Sequence, residues 1–321
     1  MSVLSDEKLA PAAVAPSRAA GRRPSRRPRA PYAFVLPAAL LFLAFYLIPL
    51  GYAIYLSFRG AKVSGGGGYG TREETWVGLE NYANVLTDPE LLASLVRLLQ
   101  YGLITVPITL GGALLIALLL DAPRARFVTA SRTAIFAPYA VPGIIASIMW
   151  GFLFLPSTSP LNAILKSLGL PTLNLLDSSW VIGSLANIAI WGALGFNMII
   201  LYTALRSVPM EIYDSARVDG CSEWQIAWRI KIPLIAPSLV LTSLFSLIAT
   251  LQVYSEPTTL RPLTSAITST FFPLMKVYRD AFTNDQINAA AAMAVVITVG
   301  TLVASLGLLR LVQGKTNGDE R

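Results

Sequence analysis

Six stretches of the chain carry no charged residue: 30–58, 98–120, 133–165, 178–205, 232–255 and 286–309. The shortest has 23 residues. A helix needs about 20 apolar residues to cross the hydrocarbon core. A single Arg, Lys or Asp at its centre costs roughly 2.5–3.5 kcal/mol on insertion. The pattern therefore predicts an all-α integral membrane protein with six transmembrane helices. The third stretch exceeds one crossing, so its part from Pro156 to Pro160 onward is expected to be a loop. Composition agrees, with 54% hydrophobic and 13% charged residues among 321, where a soluble domain has about a quarter charged.

Charge sets the orientation. With the amino terminus inside, the inner segments hold 17 Lys and Arg and the outer segments eight. The excess of positive charge inside predicts both termini and a hairpin over 207–233 in the cytoplasm. Residues 1–30 form an Arg-, Ala- and Pro-rich tail that cannot bury a core, expected to be a disordered anchor on anionic lipid. Residues 31–312 form the transmembrane domain and 313–321 a second cytoplasmic tail. No aromatic or folded module supports nucleic-acid binding.

Whole classes of chemistry fall away. There is no histidine and one cysteine, Cys221, so histidine acid–base or metal chemistry and an internal disulfide are excluded; no metal site is expected. Gly65, Gly67 and Gly70 mimic a dinucleotide-binding pattern, but no strand is expected to precede them and they are expected to lie outside. The "GKT" at 314–316 has Leu309 where a phosphate loop needs glycine. The first reads as a flexible loop and the second as a solvated tail, leaving no site to hydrolyse ATP.

The charged interruption "EIYDSARVDGCSEWQIAWRIKIPLIAP" (211–237) separates two charge-free crossings. Pro209 suits a first helical turn, and Glu211 and Asp214 favour the positive end of the helix dipole. Pro209, Ile212, Tyr213 and Ala216 make an apolar stripe. Gly220 ends the helix, Ser222 and Gln225 form a capping-box pattern for a second, and Trp224 and Trp228 stand one turn apart on it. Pro233 and Pro237 mark the exit. Arg217 is expected to pair with Asp214 at i,i+3. On these grounds alone the object is a docking element or an amphipathic hairpin lying on lipid.

The stretch resembles the "EAA" loop of permease subunits of bacterial ABC importers: Asp214, Ser215, Ala216, then Asp219, Gly220, Cys221, then Ile230, Ile232 and Pro233 keep its spacing. "LNAILKSLGLP" (161–171) and "WGALGFNMIILYTALRSVPMEIYDSARVDG" (191–220) are similar to the carbohydrate-type, maltose-permease-like branch. The resemblance spans about 32–312. It implies a type I importer permease fold in the bacterial inner membrane, multi-pass, and a non-catalytic subunit. It also implies a homologous second permease, two cytoplasmic ATPases that bind ATP and Mg, and an extracytoplasmic sugar-binding protein; this chain itself would carry no cofactor. The hairpin, including Glu211, Asp214, Ala216, Arg217, Asp219, Gly220, Trp224, Trp228 and Pro233, would dock on the ATPase. The family's substrate contacts fall on crossings four and five, near Ala193, Phe196, Ser246 and Thr250. Ser243, Ser246 and Thr250 share a face there, and Trp191 and Asn197 sit mid-crossing; helix packing is the competing role for each. Asn197 ranks first, because an amide at bilayer depth needs a partner.

Three alternatives stand beside a sugar importer. One is a permease for a sugar phosphate or glycerol phosphate. Another is a secondary transporter, which the absence of ionisable groups in the six cores disfavours. The last is a membrane-embedded enzyme, for which the outer acidic residues are too scattered.

Overall fold

The computed structural model describes residues 30–64 and 71–316. Most of the Arg-rich tail, the glycine run 65–70 and residues 317–321 lie outside the described residues. The chain divides into two units at Leu50. In the first, the helix Ala30–Phe42 passes through a π turn, Leu43–Leu47. The apolar helix spans Phe34–Ser57 as a whole (α1), so its last residues belong to the second unit.

Among the described residues five helices are long and apolar enough to cross a membrane, or six when a bent pair is counted as one span. After α1 come α2 (Glu80–Thr87) and α3 (Pro89–Leu120). Asp88 caps α3 by accepting from the Glu90 and Leu91 N–H groups at 2.8 and 3.3 Å. This adds two turns before the charge-free stretch begins. The third crossing differs from the sequence expectation. It breaks in mid-course into α4 (Val128–Ala140) and α5 (Gly143–Phe154), at 95° to each other. The reason is local: Pro142 forces Val141 into extended backbone (φ −80°, ψ 124°). The chain then turns through 155–159 into α6 (Pro160–Ser167), where a loop is expected.

The helix α7 (Val181–Arg206) packs along α3 at the centre of the second unit, and α10 (Ala236–Leu251) lies against both. Between α7 and α10 stand α8 (Met210–Val218) and α9 (Glu223–Ile226). The chain closes with α11 (Ser255–Leu260), α12 (Pro273–Phe282) and α13 (Ile287–Thr316). Gly195 lets α7 touch the end of α4: a Cβ there would lie 2.2 Å from the Ile135 carbonyl oxygen.

One element joins the helical architecture without warning from the sequence. Strands β1 (Arg59–Ser64) and β2 (Thr71–Trp76) pair antiparallel, Arg59 opposite Trp76. Phe58 stacks on Trp76 at 5.5 Å, and Asn81 Nδ2 donates to the Ser57 and Arg59 carbonyls at 2.9 and 2.7 Å.

Buried ion pairs cluster near the two ends of α3. At one end Lys231 meets Asp121 at 2.5 Å, both almost fully buried, with Arg206 at 3.7 Å. At the other, Lys276 contacts Asp88, Asp280 and Glu90 at 2.8, 3.0 and 3.1 Å, and Arg279 bonds Glu90 at 2.7 Å. Burial alone would push the Lys276 ammonium down; hydrogen bonds to these carboxylates outweigh it and hold it above its ordinary value.

Candidate functional site

Two regions carry candidate function. The first is the hairpin. Helix α8 ends in a Schellman motif: the Gly220 N–H donates to the Arg217 carbonyl at 3.1 Å and the Cys221 N–H to that of Ala216 at 2.9 Å. Gly220 makes this turn at φ +84°, a region a Cβ penalises. Ser222 Oγ accepts from the Gln225 N–H and Gln225 Oε1 from the Ser222 N–H, closing the capping box. Arg217 bridges the helices, bonding Asp214 at 2.7 Å and Glu223 at 2.9 Å. Tyr213, Ala216 and Ile226 pack beneath, and Tyr213 Oη donates to the Leu205 carbonyl at 3.3 Å.

Two details differ from the sequence expectation. Pro209 is the N-cap rather than part of the first turn, its ψ of 135° being non-helical. Ile212 lies exposed rather than in the buried stripe, because Tyr213 and Ala216 alone reach the core. The hairpin presents Val218, Trp224 and Trp228 outward, 87%, 70% and 54% exposed, the two indoles 5.5 Å apart. Val218 was not anticipated. Glu211, Asp214 and Asp219 are exposed, Asp219 being the C-cap of α8, and Pro233 sits in the short turn Ile232–Leu234.

The second region is a cavity of about 380 Å³ among α3, the α4–α5 break, α7, α10 and α11. Trp191, Ala193, Ser246 and Thr250 line it together. Phe196 stands behind the wall, stacked on the lining Tyr139 at 4.8 Å. Asn197 and Ser243 are not in the lining: Asn197 Nδ2 donates to the Ala193 carbonyl at 2.9 Å and Ser243 Oγ to that of Leu239 at 2.6 Å. Sequence reasoning missed Tyr101, Thr105 and Thr109, which stand at i, i+4 and i+8 along α3 and form one wall. That spacing, polar in an apolar helix, was the available signal. Thr109 Oγ1 and Ser246 Oγ are buried without a hydrogen-bond partner, a state that costs free energy unless something bonds them. Among the described residues no cluster of metal-ligating side chains occurs.

The family model described as "Binding-protein-dependent transport system inner membrane component" matches residues 109–316. The chain belongs to this family. It is therefore a multi-pass inner-membrane permease of an ABC importer, which sets aside the secondary-transporter alternative. It is 27% identical to the sn-glycerol-3-phosphate transport system permease protein UgpA of Brucella abortus, over 89% of this chain and 96% of that protein. It is 28% identical to the diacetylchitobiose uptake system permease protein NgcF of Streptomyces coelicolor, over 90% and 83%. A crystal structure of a bacterial ABC transporter involved in the import of the acidic polysaccharide alginate contains a chain of the same fold, with a TM-score of 0.77 at 21% identity, covering 88% of this chain and 95% of that one.

Proposed function

We propose that this permease forms, with a second homologous permease, the membrane path for a sugar handed over by an extracytoplasmic binding protein. Two separate ATPases, which bind ATP and Mg, drive it, and this chain carries no catalytic group. The cavity is the observation that carries the sugar reading. Its wall sets aromatic faces, Trp191, Tyr139 and Tyr254, beside the hydroxyls of Thr105, Thr109 and Ser246, and sugar recognition needs that mixture of apolar face and hydrogen-bonding edge. The relatives named for diacetylchitobiose and glycerol phosphate uptake support the same class.

The hairpin is the ATPase contact and faces the cytoplasm, as the Lys and Arg distribution indicates. Trp224, Trp228 and Val218 are exposed apolar knobs on a rigid two-helix body, suited to a groove on a partner.

The test is uptake into vesicles holding the purified importer with its binding protein. Labelled sugar should accumulate only when ATP is supplied on the ATPase side, and the chain alone should hydrolyse none. Accumulation driven by a proton or sodium gradient without ATP would refute the reading.

A further inference from the structure

We infer that the solute passing this subunit carries no net negative charge: it is neutral or cationic. This rests on the transport reading above and sharpens it, since the relatives include both a phosphate ester permease and a neutral disaccharide permease by name.

The argument is the charge of the wall. The cavity lining contains one carboxylate, Glu256, and no Lys or Arg. Glu256 is half-buried at the start of α11, and its Oε1 lies 3.5 Å from where a Cβ on Gly143 would stand. Gly143 is the first residue of α5, so the carboxylate stands beside the start of that helix and faces the cavity at the α4–α5 break. Glu256 has no ion pair or hydrogen bond among the described residues, so its charge stays uncompensated by any cation.

Arg261 follows α11, is exposed and does not line the cavity, and other cations are committed elsewhere. Arg97 donates to the Thr270 and Phe271 carbonyls, and Lys276 and Arg279 are held by Asp88, Glu90 and Asp280. At the hairpin end Lys231 and Arg206 face Asp121, and Arg132 lies over the Tyr202 ring. A phosphate or uronate leaving water needs a cation or charge-assisted donors in exchange. This wall offers neither and adds a like charge, whose repulsion is strengthened by partial burial. A neutral polyol meets what the wall does have: four aromatic side chains, Tyr101, Tyr139, Trp191 and Tyr254, among uncharged polar ones. An amine-bearing sugar gains Glu256 as well.

The test uses the complete importer in vesicles with its own binding protein. The probes are a neutral disaccharide, an aminosugar disaccharide, glycerol 3-phosphate, a uronate disaccharide and zwitterionic glycine betaine as a non-sugar. The wild type should take up a neutral or amine-bearing probe at least about tenfold better than either anion, and Glu256→Gln should narrow that ratio by about threefold or more, the scale of one partly screened charge, while insertion and yield stay unchanged. Preferred uptake of glycerol 3-phosphate or the uronate overturns the inference and leaves the sugar-importer reading standing. Uptake of glycine betaine alone does the reverse. A ratio unmoved in Glu256→Gln removes Glu256 from the discrimination and overturns the inference as argued from this wall.

Discussion

The hairpin and the cavity are built in opposite ways. The hairpin is made of contacts within about 30 residues of sequence: the Schellman turn at Gly220, the Ser222–Gln225 box and the Arg217 bridge are all local. The cavity gathers Tyr101, Tyr139, Trp191, Ser246 and Glu256 from five helices, so its shape depends on how closely those helices approach. A local device tolerates change in the bundle, and a gathered one does not. The two regions should therefore fail independently when mutated.

The largest effect is expected at Gly195. A Cβ there meets main-chain atoms of Ile135 and Phe136, which cannot swing aside. Gly195→Ala should destabilise the subunit by about 3 kcal/mol or more, read as a lower Tm and lower yield in detergent, with the cavity lost. An unchanged Tm would disconnect the cavity from this crossing.

Next is Gly220→Val. Holding a branched residue at φ +84° costs about 1–3 kcal/mol. ATP-driven uptake and copurification with the ATPase should fall sharply, while membrane insertion and solute protection of the cavity residues from labelling persist. Normal uptake would remove the hairpin from energy coupling.

Thr109→Val comes third. It deletes an unpartnered hydroxyl of the wall at nearly constant volume. One hydrogen bond is worth about 0.5–1.5 kcal/mol, so uptake should drop several-fold with ATPase assembly intact; equal uptake would make the hydroxyl a packing group.

The smallest effect is expected at Asn197→Leu. The amide bonds its own helix and its Oδ1 is buried without a partner. Uptake should stay within about twofold and stability hold or rise by about 1 kcal/mol. A tenfold loss of uptake would bring Asn197 back to the solute path.

These contrasts explain what could be read from the chain beforehand. Apolar length alone gives the crossings, because the membrane imposes it. The hairpin was legible since Gly220, Ser222 and Gln225 act over a few residues. The cavity was legible only in part. Trp191, Ala193, Ser246 and Thr250 were singled out, but Asn197 was ranked above them by its polarity, and polarity cannot tell a wall from a helix that bonds its own amide. The break at Val141–Pro142 was written in "AVPG", yet within a long apolar run its effect on direction is set by packing. The β1–β2 hairpin escaped because its strands are charged and short, so their pairing leaves no apolar period to find.

The self-sufficiency of the hairpin has a consequence for the order of assembly. Its caps and its bridge close over a few residues, so it takes shape on the microsecond scale of helix and turn formation, long before subunits meet. An ATPase docking as proposed would meet a finished object and need only freeze a few exposed side chains, Val218, Trp224 and Trp228, at about 0.5–1.5 kcal/mol each for the mobile ones. Under the docking proposed above, biogenesis of the complex becomes a collision between preformed parts, limited by the concentration of the cytoplasmic partner rather than by folding at the contact.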